Sequence, residues 1–280
     1  MPKDNTSVVV TGLGALTPVG NDVLTTWRAL VEGRSGIKRI TRFDPSPFET
    51  QIAGEVKGFD PKEHFNRKEA RRLDRFVQFA VVATRQALED AKLTITADNA
   101  ERVGAVIGTA LGGIETLLTQ FEKLQARGPR RLSPFFLPMM LADTASGQVA
   151  ISCGAKGPNM AIVSACATGS NAIGEAAEMI RRGDADAIIS GGSEAPLVPI
   201  VLAGFNVMGV LSTRNHDPER ACRPFDATRD GPTMSEGAGI LILESLEHAT
   251  VRGARIYGEI IGYGATADAA HVAAPAEGGE

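Results

Sequence analysis

The chain has 280 residues, 43% of them hydrophobic, with 31 glycines and 15 prolines; this suffices for one large or two ordinary packed domains and excludes a disordered or collagen-like chain. Its 29 basic and 33 acidic side chains leave a net charge of −4, too balanced for a protein held mainly by nucleic-acid phosphates. Three cysteines, Cys153, Cys166 and Cys222, are too few and too odd for a disulfide framework and point to a reducing, cytoplasmic setting; MPKDNTSVVVTG lacks a signal-peptide core, and no run approaches the roughly 18 apolar residues of a membrane span.

Residues 8–10 are a β-branched run closed by Thr11-Gly12-Leu13-Gly14, which predicts a buried strand ending in a tight glycine turn. A helix is predicted over 23–31. Over 75–91 the apolar residues Phe76, Ala80, Ala83, Ala87 and Leu88 recur at helical spacing, so one face is buried while Arg85, Glu89 and Asp90 lie elsewhere. Residues 102–109 (RVGAVIGT) return as a strand. The rhythm continues through a strand at 159–164, a helix after Cys166, and strands at 185–190 and 238–243. Such alternation gives the α/β class, a sheet covered by helices on both faces. Residues 258–265 (GEIIGYGA) echo 8–15 (VVVTGLGA) in their glycines; the echo is either chance recurrence or the start of a duplicated half left incomplete at Glu280.

The most informative segment is 159–193, NMAIVSACATGSNAIGEAAEMIRRGDADAIISGGS, which reads strand, elbow, helix, strand. Ile173, Ala176, Ala177 and Ile180 give the helix an apolar face, Arg181 and Arg182 suit its last turn, and Gly183 its C-terminal cap. Cys166 then sits at a helix N-terminus, where unpaired N–H groups and the positive end of the helix dipole favour thiolate over thiol. Two readings stand side by side: a small buried filler, as many free cysteines are, or a nucleophile made approachable by the small residues of Ser164-Ala165-Cys166-Ala167-Thr168-Gly169-Ser170. Cys153 and Cys222 lack such an elbow and are read as packing residues, and no cysteine pair has the spacing of a zinc site.

Two basic stretches complete the residue-level reading. Residues 62–75 (KEHFNRKEARRLDR) hold six cations against Glu63, Glu69 and Asp74, and 123–131 (KLQARGPRR) hold four without an acid. They are either solvated faces or a surface that steers an acidic partner. With only Trp27 and two tyrosines, the chain offers few stacking platforms for nucleic acid.

Taken in order and at compatible distances, VVVTGLGALTPVGN, SACATGSNAIGEA around Cys166, ADAIISGGSEA, LSTRN, CRPFDATRDG, SEGAGILILE and GATADAAH resemble the β-ketoacyl-acyl-carrier-protein synthases of the elongating, type II kind. These are condensing enzymes of the thiolase fold, and the resemblance runs from Val8 to the end of the chain. It implies a layered αβαβα architecture with the first half, 1–255, complete and the second, from 256–280, only begun. It also implies that Cys166 takes an acyl chain from acyl-carrier protein as a thioester, and that a carbanion from malonyl-carrier protein attacks that thioester to give a 3-ketoacyl chain. No cofactor and no metal are implied.

By the same resemblance, Leu111 in its glycine turn and Phe136 and Leu137 in SPFFLPMML line the acyl tunnel; the residues alone leave ordinary core as the other reading, and the prolines argue against a regular helix start. Lys68, Arg71, Arg72, Arg130 and Arg131 are the implied carrier-protein contacts, and Asp268 and His271 shape the site without being catalytic. The strand at 159–164 is implied to pair across the two-fold axis of a homodimer. The family's two catalytic histidines lie in HGTGT-like and NFGFGG-like segments; His64, His216, His248 and His271 lie in neither. Pro232-Thr233 stand where the family usually has Phe-Val, which leaves the local backbone geometry open. The alternatives are a carrier-protein-binding subunit that does not condense, a polyketide-type ketosynthase, and a thiolase-like enzyme acting on coenzyme A thioesters.

Overall fold

The computed structural model describes residues 6–278; both chain ends weighed above, 1–5 and 279–280, lie outside the described residues. The chain opens with strand β1 (Val8–Leu16) and helix α1 (Val23–Val31), then a small hairpin of β2 (Ile37–Arg39) and β3 (Ile52–Gly54). The short α2 (Arg67–Ala70) leads into the long α3 (Arg75–Ala91), followed by β4 (Val103–Gly108), α4 (Ile114–Arg127), α5 (Phe136–Met140) and α6 (Thr144–Cys153). Strand β5 (Asn159–Met160), α7 (Thr168–Arg181), β6 (Ala187–Glu194), α8 (Pro199–Val207), β7 (Gly237–Ser245), α9 (Leu246–Val251) and β8 (Gly258–Glu259) complete the order.

Six strands form one mixed sheet in the order β5-β4-β6-β7-β1-β8. β4 runs parallel to β5 and β6, whereas β7 runs antiparallel to both β6 and β1. One face of the sheet is packed by α3 and α6, where Phe76, Phe79, Ala83, Ile107, Ile189 and Ile240 are buried together. The other face is covered by α7, whose Ala172, Ala176, Ala177 and Ile180 meet Val8, Val106, Ile188 and Leu243. Helix, sheet, helix is thus the layering, and the α/β class holds.

The two helices predicted at 23–31 and 75–91 have those bounds. Their N-caps explain why: Asp22 accepts from the Thr25 N–H, and Asp74 from that of Phe76. The glycine turn predicted after Val10 is absent, and β1 continues through a bulge between Val10 and Gly12 as far as Leu16. Gly12 and Gly14 instead allow α3 to lie against the strand. A Cβ on Gly14 would stand 1.9 Å from the Ala83 carbonyl oxygen, and one on Gly12 2.2 Å from that of Ala87. Gly14→Ala should therefore cost about 1–3 kcal/mol, read as a lower urea midpoint at unchanged slope; a wild-type midpoint contradicts this packing.

One further prediction needs correction. The strand predicted at 159–164 is regular only at Asn159 and Met160, because beyond Met160 the chain turns toward the elbow. At the echo, 258–265, Gly258–Glu259 pair with Val9 and Val10 at the edge of the same sheet. The chain then lies along α7, where the Asn171 amide donates to the Tyr263 hydroxyl at 3.0 Å.

Candidate active site

Cys166 lies in a single 3₁₀ turn, Ala165–Ala167, that feeds directly into α7. The preceding residue, Ala165, has φ +51°, a left-handed backbone that strains any residue with a Cβ and is held here by its surroundings. Those surroundings are close-packed. The Ser164 N–H donates to the buried Thr168 hydroxyl at 2.8 Å, and a Cβ on Gly108, at the end of β4, would fall 2.2 Å from the Thr168 methyl. Gly192 of β6 is in ordinary contact with Gly169: a Cβ on Gly192 would stand 3.4 Å from the Gly169 Cα. Upstream, the Ser146 hydroxyl of α6 donates to the Met160 carbonyl at 2.7 Å and accepts from the Ile107 N–H at 2.9 Å, tying β5 to β4.

The result is an elbow whose base is fixed and whose tip is open: Thr168 is buried, whereas residues 163–167, Cys166 among them, are exposed. The reading of Cys166 as a buried filler is therefore excluded. Cys153 does pack, half-buried with its thiol on the Val149 carbonyl and its pKa pushed up by burial. Cys222, by contrast, is exposed, which corrects the packing reading; its loop, 212–230, is anchored by the buried Ala221 and by polar contacts such as Ser212 to Asp230.

The turn after β4 leads from the elbow to Leu111. Leu111 is three residues beyond Gly108, and its turn docks on α5: the Gly113 N–H donates to the Met140 carbonyl at 3.0 Å, and a Cβ on Gly113 would stand 2.4 Å from the Met139 carbonyl oxygen. Gly112 takes φ +60° to make the turn. The irregular wall expected at 133–141 is corrected in part, since Phe136–Met140 form a short helix with Pro138 in the first turn, where a missing N–H breaks no helical bond. Leu111 and Leu137 are exposed and Phe136 is half-buried, so the three are brought to one surface region by the glycine turn.

The two basic stretches face each other. Lys68, Arg71 and Arg72 line a cleft of about 1090 Å³ together with Arg42, Arg67, Lys123 and Arg131, while Arg130 is not among its lining residues. Arg72 stacks over the Phe135 ring at 4.0 Å, placing a cation beside the residue that precedes α5. Arg42 is engaged by Glu115 at 2.8 Å and Arg75 by Glu236 at 2.7 Å; Arg67, Lys68, Arg71, Lys123 and Arg131 make no ion pair among the described residues.

Three carboxylates around these elements were not singled out in the sequence. Asp74 caps α3 and also accepts from the Thr116 N–H at 2.9 Å and hydroxyl at 2.6 Å, and burial raises its pKa against those bonds. Glu194, at the end of β6, accepts from the Thr109 hydroxyl and the Ala110 and Leu111 N–H groups, and burial raises its pKa as well. Glu236 accepts two bonds from Arg75 and one from the Val56 N–H. A charged residue closing the buried strand AIISGGSE is the signal that could have found Glu194.

Asp268 and His271 are exposed and serve their own loop. Asp268 accepts from the Ala276 and Ala270 N–H groups, which hold its carboxyl below the usual range, and His271 Nδ1 accepts from Ala273 and Ala274. No hydrogen bond among the described residues joins either one to the elbow. His64 stacks on Phe59, and His248 Nδ1 meets Glu244 at 2.5 Å. The question left open at Pro232 resolves simply: its carbonyl accepts from the Ser212 N–H at 2.9 Å, and Met234 and Glu236 bond to Gly54, so the segment is stitched down without the missing donor. Among the described residues no helix is long and apolar enough to cross a membrane.

A mixed sheet between helix layers, with an elbow helix starting at the ends of its parallel strands, defines a thiolase-like domain. Residues 5–249 match the model of the beta-ketoacyl synthase N-terminal domain. The 3-oxoacyl-[acyl-carrier-protein] synthase 2 of Staphylococcus aureus is 55% identical over 278 residues, which cover 99% of this chain and 67% of that protein. Its namesake from Synechocystis is 54% identical over 97% of this chain and 65% of its own length. A beta-ketoacyl synthase from Burkholderia phymatum superposes with a TM-score of 0.88 at 33% identity, covering 97% of this chain and 67% of that one. A type II polyketide ketosynthase solved with its acyl-carrier protein and a hexaketide gives 0.82 at 34% identity, over 95% and 64%. The chain belongs to the beta-ketoacyl synthase family, a family of condensing acyltransferases, and spans about two thirds of the length of the curated relatives named here.

Proposed function

We propose that this chain carries the acyl-accepting part of a 3-oxoacyl-acyl-carrier-protein synthase of fatty-acid elongation, with 1–255 as the ketosynthase half and 256–280 as the beginning of the second. The Cys166 thiolate attacks the carbonyl of an acyl thioester, the carrier thiol leaves, and the acyl group rests on sulfur. Loss of CO₂ from malonyl-carrier protein then gives a carbanion that attacks the Cys166 thioester, releasing the thiolate and forming the 3-ketoacyl product. The first turn of a helix has N–H groups without intrahelical acceptors, so the N–H of Cys166 itself is placed to donate to the oxygen that gains charge at each attack. None of the four histidines here is assigned to decarboxylation.

The observation that carries this reading is the elbow: an exposed thiol at the start of α7, whose Thr168 packs on Gly108 at the end of β4, three residues before the exposed Leu111. Leu111, Phe136 and Leu137 form the wall for the acyl chain, with Asp268 and His271 as site-shaping residues on the loop beyond β8. The carrier protein docks at the basic cleft through Lys68, Arg71, Arg72 and Arg131, with Arg130 on its rim. The open outer edge of β5, flanked by exposed Ile151, Met160 and Val163, is the face of a homodimer. Three unpaired thiols suit a cytoplasmic enzyme.

The test is acylation by acyl-carrier protein, followed by intact mass and peptide mapping: one acyl group on Cys166 is expected. Equal acylation by acyl-coenzyme A without carrier protein would instead favour a thiolase-like enzyme. Replacing Arg71, Arg72 and Arg131 together by glutamine should raise the KM for the carrier protein about tenfold or more and flatten its salt dependence, while leaving iodoacetamide alkylation of Cys166 unchanged. An unchanged KM removes the cleft as the docking site.

A further inference from the structure

The carboxylate of Glu194 holds three donors of a single turn. Its Oε1 accepts from the Thr109 hydroxyl at 2.8 Å and the Leu111 N–H at 3.3 Å, and its Oε2 from the Ala110 N–H at 2.5 Å. The Thr109 oxygen in turn accepts from the Gly112 N–H at 3.2 Å, so one side chain reaches four consecutive residues of the β4–α4 connection, directly or through Thr109. From its other side the same connection is fixed by α5 through Gly113 and Met140. Two residues before Glu194 on the same strand, Gly192 packs against Gly169 of α7, at the base of the Cys166 elbow. The end of β6 therefore supports both the nucleophile's helix and the turn that presents Leu111. Backbone N–H groups bound to a side chain rather than to a ladder lose their protein acceptor when that side chain is removed.

We propose that Glu194 is a positioning residue that sets the distance between the Leu111 turn and the Cys166 elbow, and through it the acyl-chain length that the enzyme accepts. This rests on the reading of Leu111, Phe136 and Leu137 as the acyl wall. Glu194 touches neither the thiol nor the acyl chain. Its effect passes through the turn, so it belongs to discrimination between substrates and not to the reactivity of Cys166 toward a small electrophile.

The experiment measures acylation of Cys166 by short, medium and long acyl-carrier proteins in the protein as its source encodes it, in parallel with alkylation by iodoacetamide, which makes no use of the wall. Glu194→Ala is expected to change the ratio of kcat/KM between long and short chains by about tenfold or more, mainly through KM, with the alkylation rate unchanged. Glu194→Gln keeps one acceptor oxygen but sets an NH₂ group against an N–H donor, so an intermediate ratio is expected. It also carries the test by itself if the alanine variant does not fold. An unchanged ratio in both variants overturns the proposal, as does an equal loss for every chain length accompanied by altered alkylation, which would mark Glu194 as merely structural. Leu111→Ala separates the two readings: if it leaves the chain-length profile unmoved, the acyl wall itself is misplaced and the role of Glu194 falls with it, whereas a profile moved by Leu111→Ala but by neither Glu194 variant overturns only the role of Glu194.

Discussion

Cys166→Ala is expected to abolish the acyl-enzyme, lowering acylation by about 10³-fold or more, because no other group at the elbow can form the thioester. Cys166→Ser replaces the thiol by a hydroxyl of much higher pKa and should also give no adduct on the timescale of the native thiol. The substitution itself should be well tolerated, since the Cys166 side chain is exposed and lies outside the core clusters. Unfolding midpoints of the two variants should therefore match the parent. The control is internal: Cys222 is also exposed, so iodoacetamide labels two sites in the parent and Cys222 alone in Cys166→Ala, while Cys153 is shielded by α6 and its neighbours. Acyl transfer that persists at undiminished rate in Cys166→Ala, or that maps to Cys222, removes Cys166 from the chemistry.

The elbow was legible because its signal is local: small residues, a cysteine, then helical periodicity ending in Arg181, Arg182 and Gly183, whose φ of +82° is the expected left-handed cap. Helices 23–31 and 75–91 were legible for the same reason, through caps and periodicity that lie within one segment. The errors fall where distant segments decide. Gly12 and Gly14 read as a turn in isolation, and only the approach of α3, some seventy residues later, shows that they are strand residues lacking a Cβ for steric reasons. Cys222 is different: its neighbours, ERACRPFD over 219–226, carry four charges against one in VAISCGAK around Cys153, a local signal of exposure that the packing reading passes over. Residues 62–75 and 123–131 announced their charge, yet nothing in either stretch says that α2 and the end of α4 line one cleft, or that Arg131 lines it while Arg130 does not. Glu194 is the extreme case, since its three partners all lie more than eighty residues earlier in the chain.

The second large effect is structural and lies at the opposite end of the sheet from the elbow. Glu244, near the end of β7, is fully buried, and Arg252 donates to both its oxygens at 2.8 and 2.5 Å, with His248 and the Thr11 hydroxyl completing its shell. Arg252 also donates to the Ala91 carbonyl at 2.8 Å, so this one charge pair joins β7, β1, α9 and the end of α3. Arg252→Met removes the cation and leaves a buried carboxylate, which should cost about 3–5 kcal/mol at pH 7, read as a lower urea midpoint. The pH dependence gives an independent check. Burial by itself would raise the Glu244 pKa, but the bonds from Arg252, His248 and Thr11 outweigh it and hold the carboxyl at about 2, against an ordinary 4.5. A carboxyl depressed in the fold contributes stability that is fully present above pH 4.5 and is lost as the pH falls toward 2. Glu55, held at about 2 by Lys57 and Thr41 against its own burial, loses its contribution in the same window, while Asp74 and Glu194, raised by burial, work in the opposite sense. In Arg252→Met the Arg252 bonds, the largest of the depressing contacts to Glu244, are gone while those from His248 and Thr11 remain, so the difference from the parent should shrink as the pH drops below 4.5 and the carboxyl can be buried neutral. A difference below about 1 kcal/mol at pH 7, no larger than an exposed ion pair gives, or one that stays constant down to acid pH, shows that the pair does not hold these four elements together.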